Sequence, residues 1–143
     1  MRSLVILLTF SLMWLSACHH GMPPDRAVAA LQDPDPRVRQ HAADSLRSEG
    51  HAPAAVVGNL LQAAQTEQVP FVRGAILIAL GTWGSPQAKP IIDQAVQTAP
   101  DADQQRWAGR ALKAWMIQTG AVPEGTTLPA GWPYGQPGYP PPK

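Results

Sequence analysis

The sequence predicts an all-α protein, a short α-solenoid of about two and a half helix pairs over residues 25–120, followed by a disordered Pro/Gly-rich tail over 121–143. Three observations point there. The stretch PRVRQHAADSLRSEG (36–50) aligns with PFVRGAILIALGTWG (70–84) at a shift of 34, placing Pro36, Val38, Arg39, Leu46 and Gly50 on Pro70, Val72, Arg73, Leu80 and Gly84. Alanine is abundant and β-branched residues are few, which favours helix over strand. After Gly120 the composition changes: from Pro123 to Lys143, seven of twenty-one residues are proline and four are glycine, a density that no helix interior tolerates.

The chain opens with the layout of an export signal: Arg2, then the apolar or small run LVILLTFSLMWLSA, Leu4 to Ala17. As a helix that run would be roughly 21 Å long at 1.5 Å per residue. An apolar bilayer core is roughly 30 Å thick, so the length argues against an uncleaved anchor helix. Leu15-Ser16-Ala17-Cys18 then resembles the lipobox of bacterial lipoproteins. The resemblance implies a signal peptide over 1–17, a lipidated linker over 18–24, and Cys18 as the first mature residue, with diacylglycerol on its thiol and an acyl chain on its amine. One acyl chain anchors only marginally and two or more hold stably, so the cysteine would be a near-permanent membrane anchor. His19 stands where an inner-membrane lipoprotein of that family carries aspartate, which implies an outer-membrane location facing the periplasm. Cys18 is the only cysteine, so acylation leaves neither a thiol nor a disulfide. A metal reading of Cys18-His19-His20 fails because three adjacent residues cannot close a tetrahedral shell alone.

The helices follow in order. DRAVAALQ (25–32) is a short lead-in with Val28 and Leu31 on one face. In the first repeat copy Val38, Ala42, Ser45 and Leu46 form a stripe at helical spacing, with Asp35 as N-cap, Pro36 in the first turn and Gly50 as the left-handed cap. PAAVVGNLLQAAQ (53–65) places Val57, Leu60, Leu61 and Ala64 together. The second copy repeats the stripe with Val72, Ile76, Ala79, Leu80 and Trp83, and Leu77 and Ile78 widen it, so this helix is expected to be the most buried. Ile91, Ile92, Ala95 and Val96 line a helix that starts at Pro90, with 85–89 as turn. A weaker third copy, QQRWAGRALKAW (104–115), keeps Ala111, Leu112 and Trp115 and puts Arg110 and Lys113 on its polar face.

Taken together, Asp33-Pro34-Asp35-Pro36-Arg37-Val38-Arg39, Ala42-Ala43 and Leu46, with Val72-Arg73 and Ala79-Leu80-Gly81, resemble HEAT repeats, particularly the short HEAT-like type first described in phycobilisome lyases. The resemblance implies that the Val-Arg arginine lies near the stacked-helix interface and pairs with an aspartate of the preceding loop. The implied ladder is Asp35, Arg39 and Arg73, with Val69 in the place of an acid before Arg73. Stacking is also a physical requirement, because a two-helix unit cannot bury its apolar face alone.

Function classes are narrowed by what the residues cannot do. The chain carries eleven basic and ten acidic residues; loss of residues 1–17 removes Arg2 and leaves the two in balance. With no basic cluster, nucleic acid is not an expected partner. His41 and His51 have no acid or cysteine at metal or catalytic spacing, and no HExxH, GxSxG, Walker or GxGxxG pattern occurs. Asp33, Asp35, Asp101 and Asp103 stand beside helix starts, where capping explains them. HEAT-like lyases attach bilins, but an envelope lipoprotein has no evident bilin substrate. The expectation is no enzyme, no metal and no cofactor, the lipid on Cys18 aside.

The last helix has no successor to cover it, so Trp107, Trp115 and Met116 are expected to stand partly bare. The tail aromatics Trp132, Tyr134 and Tyr139 alternate with proline. Three readings are open for the tail: a flexible extension, a polyproline II ligand for a partner's groove, or a cover over the end of the stack. Trp107, Trp115, Met116, Trp132 and Tyr134 form the candidate partner surface. The expected function is a lipid-anchored adaptor for a protein partner in the bacterial envelope. A structural envelope component whose tail reaches the cell wall is the alternative.

Overall fold

The computed structural model describes residues 21–49, 53–128 and 131–134. The expected signal peptide, the lipid site Cys18, His19, His20, the cap Gly50, His51 and residues 135–143 with Tyr139 lie outside the described residues. Among the described residues six α-helices follow one another: α1 (Pro24–Ala30), α2 (Pro36–Arg47), α3 (Ala54–Thr66), α4 (Pro70–Thr82), α5 (Lys89–Thr98) and α6 (Ala102–Gln118), with a 3₁₀ turn at Pro86–Ala88 leading into α5. No strand occurs among the described residues.

Local chemistry explains the ends. Proline opens α1, α2 and α4, where a missing N–H costs no intrahelical bond. The Asp35 carboxylate accepts from the Arg37 amide at 2.8 Å, and Asp101 accepts from the Gln104 amide at 2.8 Å. The Asp101 cap starts α6 two residues before the third copy, and the helix runs three residues past it. Gly84 and Gly120, with φ of 62° and 74°, take the left-handed turn just past α4 and α6, which only glycine adopts without strain.

The three repeat copies form one row, with α4 packed against α2 on one side and α6 on the other. The second row packs behind it, α1 on α2, α3 on α4 and α5 on α6, so the seven-residue α1 supplies only part of a first pair. α4, flanked on both sides, buries Val72, Gly74, Ala75, Ile76, Leu77, Ala79, Leu80 and Gly81, as its apolar width predicts. The largest fully buried aliphatic side chains, Leu46, Leu60, Ile76, Leu80, Ile92 and Leu112, come from five different helices, so one core runs the length of the stack. Each such side chain contributes about 1.5–3 kcal/mol by leaving water.

Small residues set how closely the rows approach. A Cβ on Gly81 would stand 2.2 Å from the main-chain oxygen of Ala111, and one on Gly74 would stand 2.8 Å from Cγ of Trp107. α4 and α6 therefore touch backbone to backbone at Gly81 and backbone to indole at Gly74.

The tail departs in part from the extended, unpacked segment that its composition predicts. Residues 121–128 are mostly exposed. Gly131–Tyr134, however, turns and packs on α6 as a strap: Pro133 is fully buried, Tyr134 is 8% exposed and Trp132 rests against the core. A chain rich in proline loses little entropy when it is pinned, so two buried side chains and one partly buried ring offset much of the cost of docking it.

Candidate interaction surface

The expected arginine ladder has one complete rung, and its carboxylate is not the one anticipated. Arg39 donates from Nε and Nη2 to the two carboxylate oxygens of Glu67 at 2.7 and 3.0 Å, and from Nη1 to the carbonyls of Asp33 and Pro34 at 2.9 and 3.1 Å. Asp35 is occupied instead as the α2 N-cap. Asp35 acts on Arg39 only as a nearby charge, whereas Glu67, from the α3–α4 loop, supplies both accepting oxygens. The Arg39–Glu67 pair, 16% and 8% exposed, ties two successive repeats together. The hydrogen bonds from Arg39 hold the Glu67 carboxyl below the usual carboxylate range, and the same bonds raise the pKa of the Arg39 guanidinium.

Glu67 was recoverable from the repeat itself. At the shift of 34 it falls on Asp33, and both carboxylates accept from the amide two residues on, Asp33 from Asp35 and Glu67 from Val69, each at 2.8 Å. The extra methylene of glutamate is what lets the second copy also grip the arginine of the first. The clasp is not reproduced at Arg73, the other expected rung. Its Nε, the atom through which Arg39 holds Glu67, is buried without a hydrogen-bond partner among the described residues. The indole Nε1 of Trp83 is in the same condition.

The five candidate surface residues do not form one patch. Trp107 turns to α4, against Gly74. Trp115 points at the α4–α5 connection, donating from Nε1 to the Ser85 carbonyl at 3.0 Å, with the Lys89 ammonium 5.3 Å from its ring centre. Met116 packs partly buried against the core, and its carbonyl accepts from the Val122 amide at 3.1 Å. Trp132 and Tyr134 belong to the strap, where the Tyr134 hydroxyl donates to the Gln105 carbonyl at 2.9 Å. Burial pushes that phenol up to about 12. Gly109 lets the strap lie close, since a Cβ there would sit 3.3 Å from both Cδ of Pro133 and the carbonyl of Trp132. The strap thus covers α6 around Gln105 and Gly109, while Trp107 and Trp115 are partly covered by α4 and its following turn.

No cluster of three or more metal-ligating side chains occurs among the described residues, and none of their helices is long and apolar enough to cross a membrane. What they present is a two-row helical stack with a closed ladder at one end and a strapped helix at the other. That is an α-solenoid of stacked helix pairs, a class that offers extended surfaces to other proteins. The HEAT repeats family matches residues 24–113, well over half of the chain, and the protein belongs to it. No curated protein and no solved structure matches the chain.

Proposed function

We propose that the protein is an adaptor of the bacterial envelope, lipid-anchored through Cys18 and holding a protein partner at the periplasmic face of the outer membrane. One observation carries the reading: the HEAT repeat stack begins at Pro24, six residues after Cys18 of a lipobox-like Leu15-Ser16-Ala17-Cys18. HEAT repeats generally mediate protein–protein interaction, and a lipid on Cys18 would hold such a stack against the membrane surface.

Intact mass of the protein from its native envelope tests the anchor. The reading expects loss of residues 1–17 and the added mass of diacylglycerol and an acyl chain; an unmodified Cys18 thiol would overturn it. Cys18→Ser is expected to release the protein from the membrane fraction with residues 24–118 still helical. Affinity capture from detergent-solubilised envelope tests the adaptor role, which fails if no protein is enriched over a variant carrying substitutions on the stack surface. The rival reading, a structural component reaching the cell wall through its tail, is weakened by the docking of Trp132 and Tyr134 on α6.

A further inference from the structure

The largest cavity among those described lies between α6 and the returning tail. It measures about 560 Å³, inside the range of roughly 300–1,000 Å³ typical of ligand pockets. One wall is the face of α6 that carries Arg106, Arg110 and Lys113; the other is tail backbone at Gly125–Leu128 and the rings of Trp132 and Tyr134. Among the described residues no carboxylate lines it. Asp103, one turn before Arg106, pairs with that guanidinium on the exposed rim, and Glu124 adjoins the tail wall at an exposed position. Arg110 is exposed and Lys113 half-exposed, and neither enters a salt bridge among the described residues.

We infer that this cleft between α6 and the strap is a docking site for an acidic peptide segment of the protein partner, gripped by Arg110 and Lys113 and flanked by the Trp132 ring. Charge complementarity chooses the occupant's sign: three cations at i, i+4 and i+7 line one side of a helix, in a chain whose charges otherwise nearly balance. Shape chooses a polypeptide over a membrane surface. The cations line an open cleft whose second wall is the tail at Gly125–Leu128 with Trp132, a two-walled form that suits an extended segment laid along it. The inference rests on the adaptor reading and supplies the chemistry of its partner.

The test is titration calorimetry of the full chain in neutral detergent micelles with hexaglutamate, using hexalysine as the control. Hexaglutamate is expected to bind with an affinity that falls as salt rises, and hexalysine not to bind. The double variant Arg110→Gln/Lys113→Gln should weaken binding about threefold to thirtyfold, the loss of two exposed ion pairs. Arg47→Gln, an exposed arginine on α2, should leave it unchanged. Gly109→Val, whose Cβ would already crowd Pro133 and the Trp132 carbonyl at 3.3 Å, is expected to loosen the strap and weaken hexaglutamate. Equal binding of both peptides, or hexaglutamate binding indifferent to the double variant, overturns the inference. So does displacement of hexaglutamate by phosphatidylglycerol doped into the micelles at equal charge, which would make the cleft a lipid-headgroup site. Failure of envelope capture alongside intact hexaglutamate binding would count against the adaptor and not against the cleft.

Discussion

Arg39 and Glu67, twenty-eight residues apart, are joined by two parallel hydrogen bonds of 2.7 and 3.0 Å across the boundary between the first and second repeats. The same arginine holds the carbonyls of Asp33 and Pro34, so one guanidinium fixes the turn before α2 and the turn before α4 relative to each other. Two loops that would otherwise adjust separately become one rigid edge of the stack.

Removing Glu67 strands a mostly buried guanidinium. Glu67→Gln is expected to lower unfolding stability by about 1.5–3 kcal/mol, the range for hydrogen bonds to charged groups. A double-mutant cycle with Arg39→Gln should show coupling of similar size, because the two changes remove one interaction. Denaturant unfolding measures both; additive losses would mean that the clasp contributes nothing.

The same pair sets an acid limit. The Glu67 carboxyl is held below its ordinary value in the folded chain, so its contribution is complete above the unfolded carboxylate pKa of about 4.3 and is lost as pH falls through the lower folded value. The stability gap between the wild type and Glu67→Gln should therefore be full at neutral pH and close progressively below about pH 4.3. Chemical unfolding at a series of pH values reads it directly.

At Gly81 the limit is contact distance. Gly81→Ala would put a methyl 2.2 Å from the Ala111 oxygen, and backbone cannot step aside as a side chain can. A loss of about 1–3 kcal/mol is expected from overpacking alone, with α4 and α6 forced apart. Gly58→Ala, where a Cβ meets nothing within 4 Å, is the matched control and should be neutral or slightly stabilising.

Strap docking has its own optical signature. The chain has two tyrosines, so a Tyr139→Phe background isolates Tyr134. Its phenol should ionise near 12, against about 10 for a free tyrosine. With the folded value raised, docking is fully supported below about pH 10 and weakens as pH climbs toward 12. Gly109→Val should return the ionisation to about 10 and expose Trp132, with a red-shifted emission. Ultraviolet titration distinguishes the outcomes.

The parts of this fold that the sequence reveals are those that repeat. Val72, Leu80 and Arg73 can be read because Val38, Leu46 and Arg39 stand 34 residues earlier, and caps such as Asp35 act within their own turn. The family resemblance supplied the arginine but assigned it the wrong acid. Glu67 was within reach only by extending the 34-residue shift back to Asp33, and its grip on Arg39 depends on a contact across a loop that no local pattern signals. The strap is hidden more deeply. Proline and glycine look alike in a free tail and a docked one, and the docked one rests on contacts with Gln105 and Gly109, residues inside a helix that no local rule connects to Tyr134.

Repeat stacks carry a hazard that single cores do not: the last unit resembles the seat that a next unit would occupy. A second copy arriving there would make a head-to-tail contact, and such contacts do not close into a ring unless the geometry returns on itself; otherwise they grow into filaments. Pro133 and Tyr134, seated on α6 around Gly109 and Gln105, occupy part of that seat with the chain's own tail. On this reading the strap works as a cap, the polar or proline-rich cover that a repeat stack needs over an end it would otherwise leave apolar.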